Sequence, residues 1–181
     1  MESAEKAIAA DANEPQGYHA LALSHMWQGQ LEDAERAAKR SLELDPNFAG
    51  GYVALGSIRD FAGAHEDAIG PFEQALRLDP QYDLALQFLG RAQFGLRHYE
   101  AAEASFKRRL IHKPGSDMTR AFLASLYGHL GRRDEARRMW REVMEINPDY
   151  SAAHIRKVLP YRDPAWFDHF EEGLTKAGLP G

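Results

Sequence analysis

The chain has 181 residues, 44% of them hydrophobic and 27% charged, with a formal net charge of −5. That balance is ordinary for a globular protein large enough to bury a core, and it provides no overall basic field to hold nucleic acid. Without a single cysteine there can be no disulfide, thiolate metal site or thiol nucleophile, which suits a reducing, cytoplasmic compartment.

The opening stretch, MESAEKAIAADANEP, has neither the basic start nor the apolar centre of a signal peptide. No apolar run approaches the roughly 18 residues that a membrane-spanning helix needs, so a soluble chain with no membrane partner is expected. KAIAADANEPQGY (Lys6 to Tyr18) aligns with RSLELDPNFAGGY (Arg40 to Tyr52) at an offset of 34 residues. Residues 1–14 therefore read as the end of a truncated preceding repeat, with residues 3–11 the end of a second helix whose first helix is missing. The expectation is a chain excised from a longer protein, with an unusual half repeat at the start as the alternative.

From there the periodicity is explicit. Pro46, Pro80, Pro114 and Pro148 return every 34 residues, and so do Ala34, Ala68, Ala102 and Ala136. Leu21, Leu55, Leu89 and Leu123 form a third column, each followed by Ala or Gly. Ala38, Phe72, Phe106 and Trp140 form a mostly aromatic fourth. Gly29, Gly63 and Gly131 share a column in which Arg97 is the exception. Each period reads as two helices. Tyr18, Leu21, Ala22 and His25 lie on one face of the first helix, and Tyr52, Leu55, Gly56 and Arg59 repeat that face in the next period. The glycine column supplies a left-handed stop, and a second helix runs from Asp33-Ala34 to Leu44 or from Asp67-Ala68 to Leu78. In the last period Ala136, Met139, Trp140 and Val143 have the i, i+3, i+4, i+7 spacing of a buried helix face. Pro disfavours helix in the residue before it, so Leu-Asp-Pro ends the second helix and turns the chain into the next pair.

These columns resemble the tetratricopeptide repeat (TPR) family, whose period is 34. Tyr52, Leu55, Gly56, Ala68, Phe72, Ala75 and Pro80 carry the pattern in the second period. The resemblance covers 15–150, as repeats 15–48, 49–82, 83–116 and 117–150. It implies an all-α, right-handed solenoid of antiparallel helix pairs. Three positions depart from the pattern: Arg120 in an aromatic column, Arg109 in a small-residue column, and Pro71 inside a second helix, where it removes a donor and invites a kink.

After Pro148 the repeat decays, leaving 151–181 as a partial fifth repeat and a terminal helix. Ser151 to Leu159 begin another first helix, which Pro160 stops. Asp163-Pro164 then form an N-terminal cap for a helix from Pro164 to Ala177, with Trp166, Phe167, Phe170 and Leu174 on one face. This helix is expected to cap the open apolar end of the array; docking a partner is the alternative reading. The ending from Leu159 to Gly181 also resembles the tail that closes TPR arrays in some bacterial adenylate cyclases and related signalling proteins. In those proteins the array follows a catalytic or DNA-binding domain.

Searching for chemistry returns little. There is no Gly-rich phosphate loop and no Gly-x-Ser-x-Gly elbow. The eight histidines, His19, His25, His65, His98, His112, His129, His154 and His169, show no His-x-x-x-His or Glu-x-x-His spacing. Glu171 and Glu172 diverge on a helix. No catalytic residue, cofactor or metal site is expected. The basic stretches, Lys107 to Arg109 and Arg132 to Glu142, are interleaved with Glu103, Glu135 and Glu142 and read as a solvated outer face.

What remains is surface. The resemblance implies a concave wall lined by first-helix side chains that point away from the paired helix. Column by column these are Gln16, His19, Leu23, Met26 and Trp27; then Val53, Ser57, Asp60 and Phe61. The third repeat adds Leu84, Gln87, Arg91 and Phe94, and the fourth Met118, Ala121, Ser125 and His129. Family members that bind chaperones clamp a terminal carboxylate with Lys, Asn and Arg in these columns; here only Arg91 matches. The wall is instead largely apolar, suited to the anchor side chains of a protein or peptide segment. The expected function is a protein-interaction scaffold. A regulatory module of a larger signalling enzyme and a structural homo-oligomer are the alternatives.

Overall fold

In the computed structural model, which describes residues 13–180, every element is an α-helix. The helices run in order: α1 (Pro15–Trp27), α2 (Leu31–Leu44), α3 (Ala49–Phe61), α4 (His65–Leu78) and α5 (Asp83–Gly95). They continue with α6 (Tyr99–His112), α7 (Asp117–His129), α8 (Arg133–Ile146), α9 (Ala152–Val158) and α10 (Ala165–Lys176). The expectation for the end of a preceding helix at residues 3–11 lies outside the described residues.

Two locally encoded turns produce the regularity. Between the helices of a pair, Gly29, Gly63, Arg97 and Gly131 all have positive φ, between 61° and 87°. In each case the next residue donates its N–H back across the turn: Gln30 to the His25 carbonyl, Ala64 to Arg59, His98 to Gln93 and Arg132 to Tyr127. This is the Schellman closure of a helix end, and Arg97 makes it without the freedom of glycine. Between pairs, the Asp45 side chain accepts from the Asn47 N–H at 2.9 Å and Asp79 from Gln81 at 3.0 Å. Such Asx turns compete successfully with helix continuation, so the aspartate contributes a bond of its own and does more than precede a proline.

The second helices are amphipathic. Leu31, Ala34, Ala37, Ala38 and Ser41 are the buried residues of α2, and Ala136, Met139, Trp140 and Val143 those of α8. First helices are sandwiched on more sides, and every residue of α7 from Thr119 to Gly128 except Arg120 is buried. Arg120 donates to Glu142 at 2.7 Å, while Arg109 donates to the hydroxyls of Ser116 and Thr119. A carboxylate for Arg120 and two hydroxyls for Arg109 thus satisfy the two off-pattern arginines. Pro71 lies inside α4 and cannot donate to the Asp67 carbonyl four residues back. Arg59 of α3 donates to that oxygen instead, at 3.2 Å.

The chain divides into two compact units. The first runs to Phe88 and adds Pro160–Arg162; the second comprises Leu89–Leu159 and the chain from Asp163 onward. In the first, Phe72 stacks on Phe88 with centroids 6.0 Å apart, next to a buried cluster of Val53, Ala75 and Ala85. In the second, Phe106 stacks on Phe122 at 5.5 Å, and Phe122 also meets Phe170 of α10 at 5.0 Å. The terminal helix is therefore packed into the second unit, as the capping reading expected. No described helix is long and apolar enough to cross a membrane.

Candidate functional site

In the first unit α1, α3 and the start of α5 enclose an apolar cavity of about 230 Å³. His19, Leu23, Met26, Trp27, Val53, Ser57 and Leu84, all on the sequence-derived wall, line it, joined by Ala54, Tyr82 and Phe88. Trp27 and Leu84 are 53% and 43% exposed, whereas Met26, Val53 and Ser57 are buried. Ser57 therefore places a hydroxyl with no hydrogen-bond partner beside the cavity. Burial lowers the pKa of His19, whose ring meets Phe48 edge-on at 5.1 Å, so the imidazole is neutral at pH 7. Gln16 is exposed and does not line the cavity. Tyr82 was missed as a wall residue. The signal was present: Phe48, Tyr82 and Tyr150 each stand two residues after a proline of the 34-residue column.

Asp60 and Phe61 correct the sequence expectation. Both are fully buried because Pro160–Arg162 lies on them. The Tyr161 hydroxyl donates to one Asp60 oxygen, and His65 Nδ1 stands 2.7 Å from the other. Tyr161 also meets the Phe61 ring edge-on at 4.8 Å. The Arg162 N–H donates to the Phe61 carbonyl at 3.0 Å, and its guanidinium reaches both oxygens of Glu32. A buried carboxylate is tolerable only with donors of this kind around it. Gln87, expected on the wall, is buried as well.

The wall positions of the second unit are occupied by the chain itself. Ser125 donates from its hydroxyl to the Phe170 carbonyl at 2.7 Å, and His129 Nε2 donates to the His169 carbonyl at 2.8 Å. Both carbonyls belong to α10. Ala121 and Ser125 are buried and Met118 is half-buried. Arg91, the one cation matching the carboxylate clamp, is buried, with its guanidinium 5.5 Å from the Trp166 ring centroid and 5.9 Å from that of Phe122. Phe94 is buried against His169 at 4.9 Å and Trp166 at 6.5 Å. These residues thus read as a seat for the terminal helix and not as open wall.

This seating also brings together groups that sequence spacing kept apart. The His129 and His169 rings, 40 residues apart, stack with centroids 4.1 Å apart. With Glu172 they present one ligand atom each, all within 4.8 Å of one another. Sequence spacing gave no sign of this pairing, because helix docking creates it. Burial, followed by the charges of His129 and Arg97, holds the His169 pKa down at about 4; burial also lowers that of His129.

Comparisons with known proteins agree with this architecture. Tetratricopeptide repeat models match residues 15–48 and 118–147. A protein of Rhizobium meliloti (strain 1021) named "Putative adenylate cyclase 3" is 53% identical over 44 residues, which is 24% of this chain and 8% of that protein. The matched stretch thus spans less than a tenth of the length of that relative. Among solved structures, the type IV pilus biogenesis factor PilW superposes with a TM-score of 0.76 at 19% identity, covering 96% of this chain and 82% of its own. YrrB, described as a TPR protein with an unusual peptide-binding site, gives 0.68 at 23% identity, covering 96% and 90%. Residues 15–48 and 118–147 thus match the tetratricopeptide repeat, and the all-helical fold is that of the solenoids among these solved structures.

Proposed function

We propose that the chain is a non-catalytic interaction scaffold that receives an apolar side chain of a protein or peptide partner in the cavity of its first unit. The carrying observation is the pairing of two large exposed apolar side chains, Trp27 and Leu84, with the apolar cavity they border. Its 230 Å³ is below the ~300–1,000 Å³ typical of small-molecule sites, and suits one or two anchor side chains. Met26 lends the cavity an adaptable edge. The likeness to YrrB supports a peptide as the class of ligand.

A peptide-display library selected on the chain, with Trp27→Ala as the counter-selection, tests this reading. Enriched peptides should share an aromatic or aliphatic anchor, bind the wild type, and lose about tenfold or more in affinity for the variant, in line with a hot-spot residue. Trp140 and Trp166 are buried, so the fluorescence change on binding should come from Trp27. Peptides that bind the variant equally well would refute the assignment.

The 53% match to a stretch of an adenylate cyclase favours a second reading, in which the scaffold is the regulatory or oligomerisation part of a signalling enzyme. Light scattering on the isolated chain tests its oligomerisation arm: a stable homo-oligomer supports it, and a monomer leaves only partner binding.

A further inference from the structure

We propose that His129, His169 and Glu172 form a binding site for a divalent transition-metal ion of the zinc class, bridging α7 to α10. Imidazole and carboxylate groups within reach of one another are the donor set such ions take from proteins, with solvent completing the coordination.

The hydrogen bonding around the rings prepares them for it. His129 Nε2 is committed to the His169 carbonyl, so its proton sits there and Nδ1 carries the lone pair. His169 Nε2 stands 3.2 Å from the Tyr99 hydroxyl, while its Nδ1 is buried without a hydrogen-bond partner and points at Glu172, 3.8 Å from Oε2. Metal-binding histidines are held in this way, one ring nitrogen tied to a neighbouring acceptor and the other turned to the ion.

A cation already rests at this place. Lys176 Nζ is 2.9 Å from Glu172 Oε1 and 3.4 Å from His129 Nδ1. Its ammonium and the Arg97 charge oppose a metal ion, but Lys176 lies on a flexible stem that is 48% exposed and can swing out. Ligands about 2 Å from zinc stand roughly 3.3 Å apart, so the set must draw in by somewhat more than an ångström. Glu172, 52% exposed, has the freedom to close its part of that gap, while the two imidazoles, now stacked 4.1 Å apart, must turn so that their in-plane lone pairs converge on the ion.

The test titrates the full chain, without a histidine tag, with zinc chloride by calorimetry and with cobalt(II) by visible absorption. One ion per chain is expected, with ligand-field bands of low-coordinate cobalt and a rise in the thermal midpoint that a chelator reverses. Glu172→Gln, at an exposed position that leaves the packing intact, should weaken zinc at least about tenfold, the lower end of effects seen even for outer-shell partners. Lys176→Gln, which removes the competing ammonium, should bind zinc several-fold more tightly than the wild type. Absence of binding, or binding unchanged by Glu172→Gln and His129→Ala with the other histidines intact, overturns the proposal.

Discussion

Arg97 carries a cost that its three counterparts avoid. It has φ of 61°, the one positive value on a non-glycine residue among the described residues, where Gly29, Gly63 and Gly131 close the other pairs. The left-handed region costs an L-residue about 1–2 kcal/mol, part of which glycine returns through its freer unfolded state. Arg97→Gly should therefore stabilise the chain by about 0.5–1 kcal/mol in urea unfolding, whereas Arg97→Ala, which keeps the strain, should not. Glu103 makes a second residue-level case. Burial pushes its carboxyl up, but donation from Arg132, Lys107 and Tyr127 outweighs that and holds the pKa at about 2, against an ordinary 4.5. As pH falls from 4.5 to 2 the unfolded chain takes up this proton first, so the contribution is complete above 4.5 and lost through that window. Its ceiling is about 3 kcal/mol, and solvent around Lys107 and Arg132 reduces it to about 1–2. Glu103→Gln should be less stable than the wild type by that amount at pH 7, and the two unfolding curves should converge near pH 2.

Among elements, α10 depends most on a close fit. A Cβ built on Gly128 would stand 1.8 Å from the Gly173 carbonyl oxygen, and one on Gly173 would stand 2.4 Å from the Ser125 carbonyl oxygen. Here two helices meet backbone to backbone, so no flexible side-chain end can yield. Gly173→Ala should push α10 off α7 at a cost of about 1–3 kcal/mol, the range for overpacking. Amides of 165–176 should then exchange faster, while those of α1 to α4 keep their protection; unchanged exchange in α10 would disprove the fit. The helix itself was legible in the sequence, from Pro164 and from the spacing of Trp166, Phe167, Phe170 and Leu174, because those signals are local. So were the pair turns, down to Arg97 as the exception. Where α10 would lie was not legible, because Ser125, His129 and Arg91 look equally suited to an open wall until Phe170, His169 and Trp166 are set upon them. Asp60 and Phe61 were misread for the same reason: the segment that buries them is about a hundred residues further on. Of the expected wall, the stretch around Trp27, Val53 and Leu84 still lines a cavity, since nothing within the described part of its unit covers it.

At the scale of the whole molecule, a repeat array is held together mainly by each repeat and its immediate neighbours. Tyr161 breaks that rule, bonding to Asp60 across 101 residues of sequence and entering the core of the first unit. Two of the side-chain contacts that hold this segment have environments that give them unequal weights. The Arg162–Glu32 pair is 47% and 69% exposed, the kind of surface ion pair worth at most about 1 kcal/mol. The Tyr161–Asp60 bond is buried and ends on a carboxylate, where losing a donor costs about 1–3 kcal/mol or more. Tyr161→Phe keeps the ring on Phe61 and removes only the hydroxyl, so it should cost more than Arg162→Ala although it changes fewer atoms. Exchange of α3 and α4 amides reads the effect within the first unit itself. Faster exchange in Tyr161→Phe and near-wild-type exchange in Arg162→Ala is the expected pattern. The reverse order would mean that the surface ion pair anchors the segment and the buried bond does not.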